Sequence, residues 1–250
     1  MTGAALVVGG SGAIGAAICR AIAARGMDVA ITARSSTESA RNVAADVEGL
    51  GNRSRVVEVD LDEPESLARA VKETVDNFGS LDTLIYAAGL LPDQMWCSTV
   101  DIEKFRAHLV SETVGCFASI SYAIPHLRET AGSVVAVTSV AVRRNVRRDV
   151  LSASPKAAIE ALIRSVAAEE GRYGLRANAV GVGVLADGIA QKLVDSGAVA
   201  AEAMRETEAA LPMRRLGKAV EIAEVVSFLV SPSASYVTGQ VIDVDGGYSV

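Results

Sequence analysis

Aromatic side chains are scarce in this sequence, 4% of 250 residues, although 50% of the chain is apolar. A β-sandwich core leans on large rings, whereas abundant small and aliphatic residues suit helices packed closely on a sheet. Histidine is nearly absent, with two residues, and Cys19, Cys97 and Cys116 stand apart with no C-x-x-C spacing. Neither a metal site nor a disulfide framework is expected from that pattern. Positive charge is in deficit: 24 Lys and Arg against 30 Asp and Glu give a net charge of −6. A surface that gathers nucleic acid or anionic lipid needs the opposite balance. No apolar run is long enough to span a membrane, and Met1 leads into the apolar run from Ala4 to Val8 without a basic leader. The expectation is a cytoplasmic protein with no membrane and no nucleic-acid partner.

What is present is an alternation. Short β-rich runs at Ala4–Val8, Val29–Thr32, Arg55–Val59, Thr83–Ala87, Ser133–Thr138, Ala177–Val182 and Val241–Val244 read as buried strands. Between them, Ile14–Arg25, Glu38–Gly49, Glu65–Phe78, Ile102–Glu129, Ser152–Tyr173 and Val220–Val230 carry apolar residues at helical intervals. Asp62 with Pro64 is the expected start of the third helix. Right-handed βαβ crossovers need such spacing, so the fold class expected is α/β. It is a Rossmann-type, doubly wound, seven-stranded parallel sheet with helices on both faces, as one domain over residues 1–250. The Ala- and Glu-rich stretch 185–212 breaks the alternation and reads as a helical insertion, either a substrate lid or a plain addition.

Chemistry enters at the first turn. Gly9, Ser11, Gly12, Ile14 and Gly15 lie between the first strand and the first helix, where backbone amides and a helix N-terminus meet a pyrophosphate. At the end of the second strand, Ala33 and Arg34 stand where an NAD-selective site needs a carboxylate for the ribose 2′-hydroxyl. An arginine there suits a 2′-phosphate, so the expected cofactor is NADP(H). Asp60, ending the third strand, is placed either for the adenine amino group or to cap the next helix.

These residues, with Ala88 and Gly89 after the fourth strand, Ser139 after the fifth, Lys156, and the segments Arg215–Gly217, Tyr236–Gln240 and Asp245–Tyr248, resemble the short-chain dehydrogenase/reductase family over the whole chain. The resemblance implies a homotetramer formed through the fourth and fifth long helices, with Trp96 and Phe117 in the core or pocket wall. It also implies a Ser, Tyr, Lys and Asn set, of which Ser139 and Lys156 match. The Tyr position falls on Ser152 and the Asn position on Glu112; Tyr86 opens the N-x-A-G motif, and Asp187 replaces a cofactor-contacting Thr. A positioned general acid contributes about 10² to 10⁴ in rate, so the missing tyrosine bears directly on the chemistry.

Three readings follow. The first is an NADP(H)-dependent oxidoreductase acting on a ketone, enone or enoyl thioester, with Ser152 and Lys156 one helical turn apart as in the similar dienoyl-CoA reductase branch. In that reading Arg143, Arg144, Arg147 and Arg148 either hold the phosphates of a CoA thioester or another anion, or form a solvated basic loop or a subunit contact to acidic residues. The second is a non-redox isomerase, dehydratase or cyclase with Glu112 or Tyr86 as acid or base. The third is a catalytically inactive NADP(H)-binding protein.

Overall fold

The computed structural model of the chain describes residues 3–35, 37–187, 197 and 201–250. Seven strands form one parallel sheet in the order β3-β2-β1-β4-β5-β6-β7. They are β1 (Ala4–Val8), β2 (Asp28–Ala33), β3 (Ser54–Glu58), β4 (Thr83–Tyr86), β5 (Ser133–Ser139), β6 (Arg176–Val182) and β7 (Val241–Val244). The described helices are α1 (Ala13–Ala23), α2 (Thr37–Gly49), α3 (Pro64–Phe78), α4 (Ile102–Thr130), α5 (Val150–Glu170), α6 (Ala201–Ala210) and α7 (Ala219–Val230). The expected architecture and all seven strands are observed. The fifth long helix starts two residues early, at Val150, and passes into a 3₁₀ turn at Gly171–Tyr173.

Strand periodicity divides the core in two. In β1, Ala5 and Val7 pack on one face with Ile18, Ile22, Val43 and Val226, while Leu6 and Val8 pack on the other with Leu67, Ile120, Leu127 and Ile163. Alternation in β5 does the same, Val135 and Val137 against Val134 and Ala136. Near-continuous apolar strands are therefore consistent with a sheet buried on both sides. Order reversal between β1 and β4 opens a crevice at their C-terminal ends, where ligands bind in sheets of this type.

Several local expectations change. Pro64 does open α3, but the residue before it is Glu63, and Asp62 instead donates its N–H to Asp60 Oδ1 at 3.1 Å. Trp96 and Phe117 are 54% and 55% exposed, because Phe117 points out from α4 and Trp96 precedes a short surface turn. Of the stretch 185–212, residues 188–196 and 198–200 lie outside the described residues. Its beginning is tied down by Ala186 N–H to Gly217 O at 2.8 Å and Gly217 N–H to Val184 O at 3.0 Å. Among the described residues no helix is long and apolar enough to cross a membrane, and no group of His, Cys, Asp or Glu could hold a metal ion.

The two-sided core sets thiol chemistry. Burial pushes the Cys19 and Cys116 thiols up to about 12, whereas Cys97 is exposed. At pH 8 a small disulfide reagent should titrate one thiol rapidly in the folded protein and three after denaturation. Fast reaction of three thiols without denaturant would contradict this packing.

Candidate active site

The glycine turn is built by close contact. Gly9 has φ +83°, and a β-carbon there would start 2.7 Å from the Ala88 backbone; one at Gly15 would start 2.2 Å from Gly9 O. Both positions exclude a side chain. Thr32, at the end of β2, fastens the turn: its hydroxyl accepts from Gly9 N–H at 2.9 Å and its carbonyl from Ser11 N–H at 3.3 Å. The first helical hydrogen bond of α1 runs from Ala16 N–H to Gly12 O at 2.7 Å. Earlier amides of that turn have no acceptor within the helix, and no acidic residue stands there to compete with an anion.

Two cavities meet over this turn. The larger, about 530 Å³, is lined by Gly12 to Gly15, Ala87 to Pro92, Glu112, Ser139, Asp149, Ser152, Lys156 and Tyr248, among others. The smaller, about 230 Å³, is lined by Gly9, Ser11, Thr32 to Ser35, Val59 to Leu61 and Ser111. Gly12, Ala87, Ala88, Gly89 and Leu90 belong to both walls, so the two form one cleft along the strand ends. Its length and its unpaired amides fit a dinucleotide, with Ala88 and Gly89 at the waist. Ser111, buried in the wall of the smaller cavity, has a hydroxyl with no hydrogen-bond partner, as an awaiting ligand group would leave it. Nothing in the motif spacing marks Ser111 or Thr32; only the folded arrangement brings them to the turn.

At the far end of the smaller cavity, Arg34 is 63% exposed and its guanidinium pairs with Asp60 at 3.1 Å. Ala33, the last residue of β2, is buried and carries no carboxylate. Asp60 thus faces Arg34 and the backbone of Asp62; it does not cap α3, whose first turn has no side-chain cap.

Ser139, Ser152, Lys156 and Glu112 line the larger cavity together. Lys156 Nζ donates to Ala88 O at 3.1 Å and lies 3.0 Å from Glu112 Oε2. Glu112 is 2% exposed; its Oε1 accepts from Leu90 N–H at 2.9 Å, while Oε2 has the ammonium charge nearby but no hydrogen-bond donor. Ser139 Oγ accepts from Ala141 N–H at 3.1 Å.

Tyr86 is placed differently. It is fully buried behind the cavity, its hydroxyl donates to Glu112 O at 3.0 Å, and burial followed by the nearby Cys116 and Glu112 pushes its pKa well above the usual range. A phenol locked in that position does not reach a substrate, so Tyr86 leaves the acid–base set. Asp187 is also corrected: both carboxylate oxygens lie 3.1 Å from Ala219 N, at the positive end of α7, which holds the charge there.

The basic loop is mostly engaged internally. Arg143 pairs with Glu160 at 3.0 Å and with Asp243, tying the end of β5 to α5 and β7. Arg144 donates to Tyr248 O and stacks on its ring at 4.1 Å, and Arg148 donates to Gln94 O at 2.9 Å. None of these arginines lines either cavity, and only Arg147 extends from the loop without a described partner. Recognition of substrate phosphates by this loop is therefore not what its side chains are arranged to do.

Known proteins share this frame. A family model described as "Enoyl-(Acyl carrier protein) reductase" matches residues 9–249. The chain is 30% identical to a 3-oxoacyl-[acyl-carrier-protein] reductase of Staphylococcus aureus over 248 residues, 99% of this chain and 98% of the relative. It is also 30% identical to versicolorin reductase 1 of Aspergillus parasiticus, covering 97% of this chain and 95% of that one. A solved short-chain dehydrogenase/reductase from Serratia marcescens superposes with a TM-score of 0.90 at 28% identity, over 99% of this chain and 98% of the other. An acetoin dehydrogenase from Enterobacter cloacae gives 0.87 at 28% identity, over 99% and 96%. With the fold, the glycine turn and these likenesses in agreement, the chain belongs to the short-chain dehydrogenase/reductase family of nicotinamide-dependent oxidoreductases.

Proposed function

We propose that the chain is an NADP(H)-dependent oxidoreductase that reduces or oxidises a ketone, enone or enoyl thioester in the 530 Å³ cavity. The observation that carries the reading is the position of Lys156. Its ammonium stands at the waist of the cleft, within reach of Ala88 O and beside Glu112 and Gly89, where the dinucleotide half and the substrate half adjoin. A bound nicotinamide supplies a hydride acceptor or donor. The chain's own residues hold it through the amides of Ala13, Ile14 and Gly15, orient the reacting group through Ser139 and Ser152, and supply positive charge from Lys156.

The tyrosine one turn before Lys156 is missing, and Tyr248, which lines the cavity, is stacked under the Arg144 guanidinium, so an acceptor whose charge spreads by conjugation suits the site better than an isolated ketone. The row Val110, Val114 and Phe117, exposed on α4, supports association of copies through that helix, in keeping with a homotetramer. Leu185 and Asp187 line the cavity, which places the root of the 185–212 stretch at the site and supports its use as a lid.

The preference for NADP(H) rests on Arg34 and on the absence of a carboxylate at Ala33. NADPH should bind at least about tenfold more tightly than NADH, about 1.4 kcal/mol, and Arg34→Ala should remove most of that difference. Equal affinities in the parent, measured by quenching or calorimetry, would overturn the assignment.

For the reaction itself, Lys156→Ala should lower kcat/KM by at least about 10²-fold, and Ser152→Ala by less, since a serine hydroxyl orients but is too weak an acid to protonate alone. Ser152→Tyr restores a phenol one turn before Lys156 and should raise activity toward simple ketones. If neither the parent nor Ser152→Tyr consumes NADPH with enones, ketones or enoyl thioesters, the redox reading fails.

A further inference from the structure

The charge on the cavity wall is not balanced. Glu112 and Lys156 neutralise one another at 3.0 Å, and Asp187 is held by the N-terminus of α7. That leaves Asp149, which also lines the larger cavity and has no cationic partner among the described residues. Asp149 precedes α5 by one residue and stands one turn before Ser152, whose N–H donates to Asp149 O at 3.1 Å. Its side chain does not cap the helix. Instead it accepts from Gln94 Nε2 at 3.3 Å, and Gln94 is fixed in turn by the Arg148 guanidinium on its carbonyl. Arg148 turns its charge to that carbonyl and Arg147 is exposed, so neither serves as counter-ion in the cavity.

Glu112 Oε2, buried in the same wall, has the Lys156 ammonium beside it and adds no free charge. A cavity whose wall keeps one carboxylate without a counter-ion fits a ligand that brings both a positive charge and an N–H.

We propose that the larger cavity accepts a protonated cyclic imine or the corresponding secondary amine, with Asp149 as the counter-ion of its nitrogen. This rests on the reading above that the cleft holds NADP(H), and it adds a C=N substrate to the carbonyl class. It also accounts for the absence of a tyrosine at the position of Ser152. Reduction of a carbonyl leaves an alkoxide that needs a proton. In an iminium, the hydride and its electron pair, supplied by NADPH, form the new C–H bond, and the C=N π pair becomes the nitrogen lone pair. The N–H proton stays where it was, NADP⁺ is the oxidised product, and no acid residue takes part. In the reverse direction the amine reacts as its free base, its ammonium proton having passed to solvent; the nitrogen lone pair becomes the C=N π pair as hydride leaves to NADP⁺, and Asp149 faces a positive charge as it develops, the situation in which fixed opposite charge lowers a barrier.

The Asp149 carboxyl is held above the usual range, first by burial and further by the Glu112 charge, against the opposing hydrogen bond from Gln94. Keeping it ionised in the cavity is unfavourable, and a bound cation offsets that cost.

The test uses the NADP⁺ complex of the whole protein and piperidinium as the probe, with tetrahydropyran as its uncharged counterpart of nearly the same shape. Calorimetry should show piperidinium binding at least about tenfold more tightly than tetrahydropyran, and Asp149→Asn should abolish that margin while NADP⁺ affinity is retained. Asp149→Glu should restore part of it. In parallel, 3,4-dihydroisoquinoline should oxidise NADPH in the parent, with kcat/KM at least about 30-fold lower in Asp149→Asn. If NADP⁺ binds but piperidinium and tetrahydropyran bind alike, or if Asp149→Asn leaves the margin intact, the cationic site is refuted and the carbonyl reading stands. Failure of the parent to bind NADP(H) at all would instead overturn the reading on which the proposal depends.

Discussion

The ion pair between Lys156 and Glu112 joins the two halves of the cleft. It crosses from α5 to α4 beneath Gly89, with 12% and 2% of the side chains exposed, and each partner has a further backbone contact, Ala88 O for the ammonium and Leu90 N–H for the carboxylate. Removing one member of such a pair costs about 3–5 kcal/mol, because the other is left charged and buried. The loop after β4 is thereby held against both helices, and with it the wall common to the smaller and larger cavities. A side chain at Gly89 would press on the ammonium at 3.2 Å, so the turn, the pair and the cavity junction constrain one another.

The same pair alters the electrostatics of catalysis. An unpaired lysine at this place would lend its full charge to an oxygen gaining negative charge. Here a carboxylate 3.0 Å away offsets much of that field, and Asp149 adds a further negative charge to the cavity. On the reading proposed above, the absence of a tyrosine at Ser152, the paired lysine and the unbalanced Asp149 form a consistent set: each would favour an acceptor that is conjugated or already positive over an isolated ketone.

The fold was legible in the sequence because its periodicities are strong. Buried parallel strands show as short apolar runs, Gly9 and Gly15 sit where only glycine fits, and Ser152 and Lys156 keep helical spacing. What the sequence hid were long-range partnerships. Tyr86 carries a reactive group in a motif position, but its strand turns it into the core behind Glu112. Arg143 and Arg144 look like an anion trap in a linear reading, yet Asp243 and Tyr248, about a hundred residues away, claim them. Asp149 gave no signal, since an Asp before a helix ordinarily reads as a cap, and only the fold shows that this one turns to Gln94 and the cavity. Boundaries moved little, as Val150 and the 3₁₀ turn at Gly171–Tyr173 illustrate.

Hydride transfer within this cleft, with serine in place of a tyrosine one turn before Lys156, is the proposed claim from which the rest follows. Its most direct measurement is a single turnover with NADPH carrying deuterium at C4 on each face in turn, with the product analysed by mass spectrometry. One deuterium should enter each product molecule from one labelled face and none from the other, since a fixed dinucleotide presents a single face to the cavity. Product formed without label from either face, or with label from both in equal measure, would contradict the account.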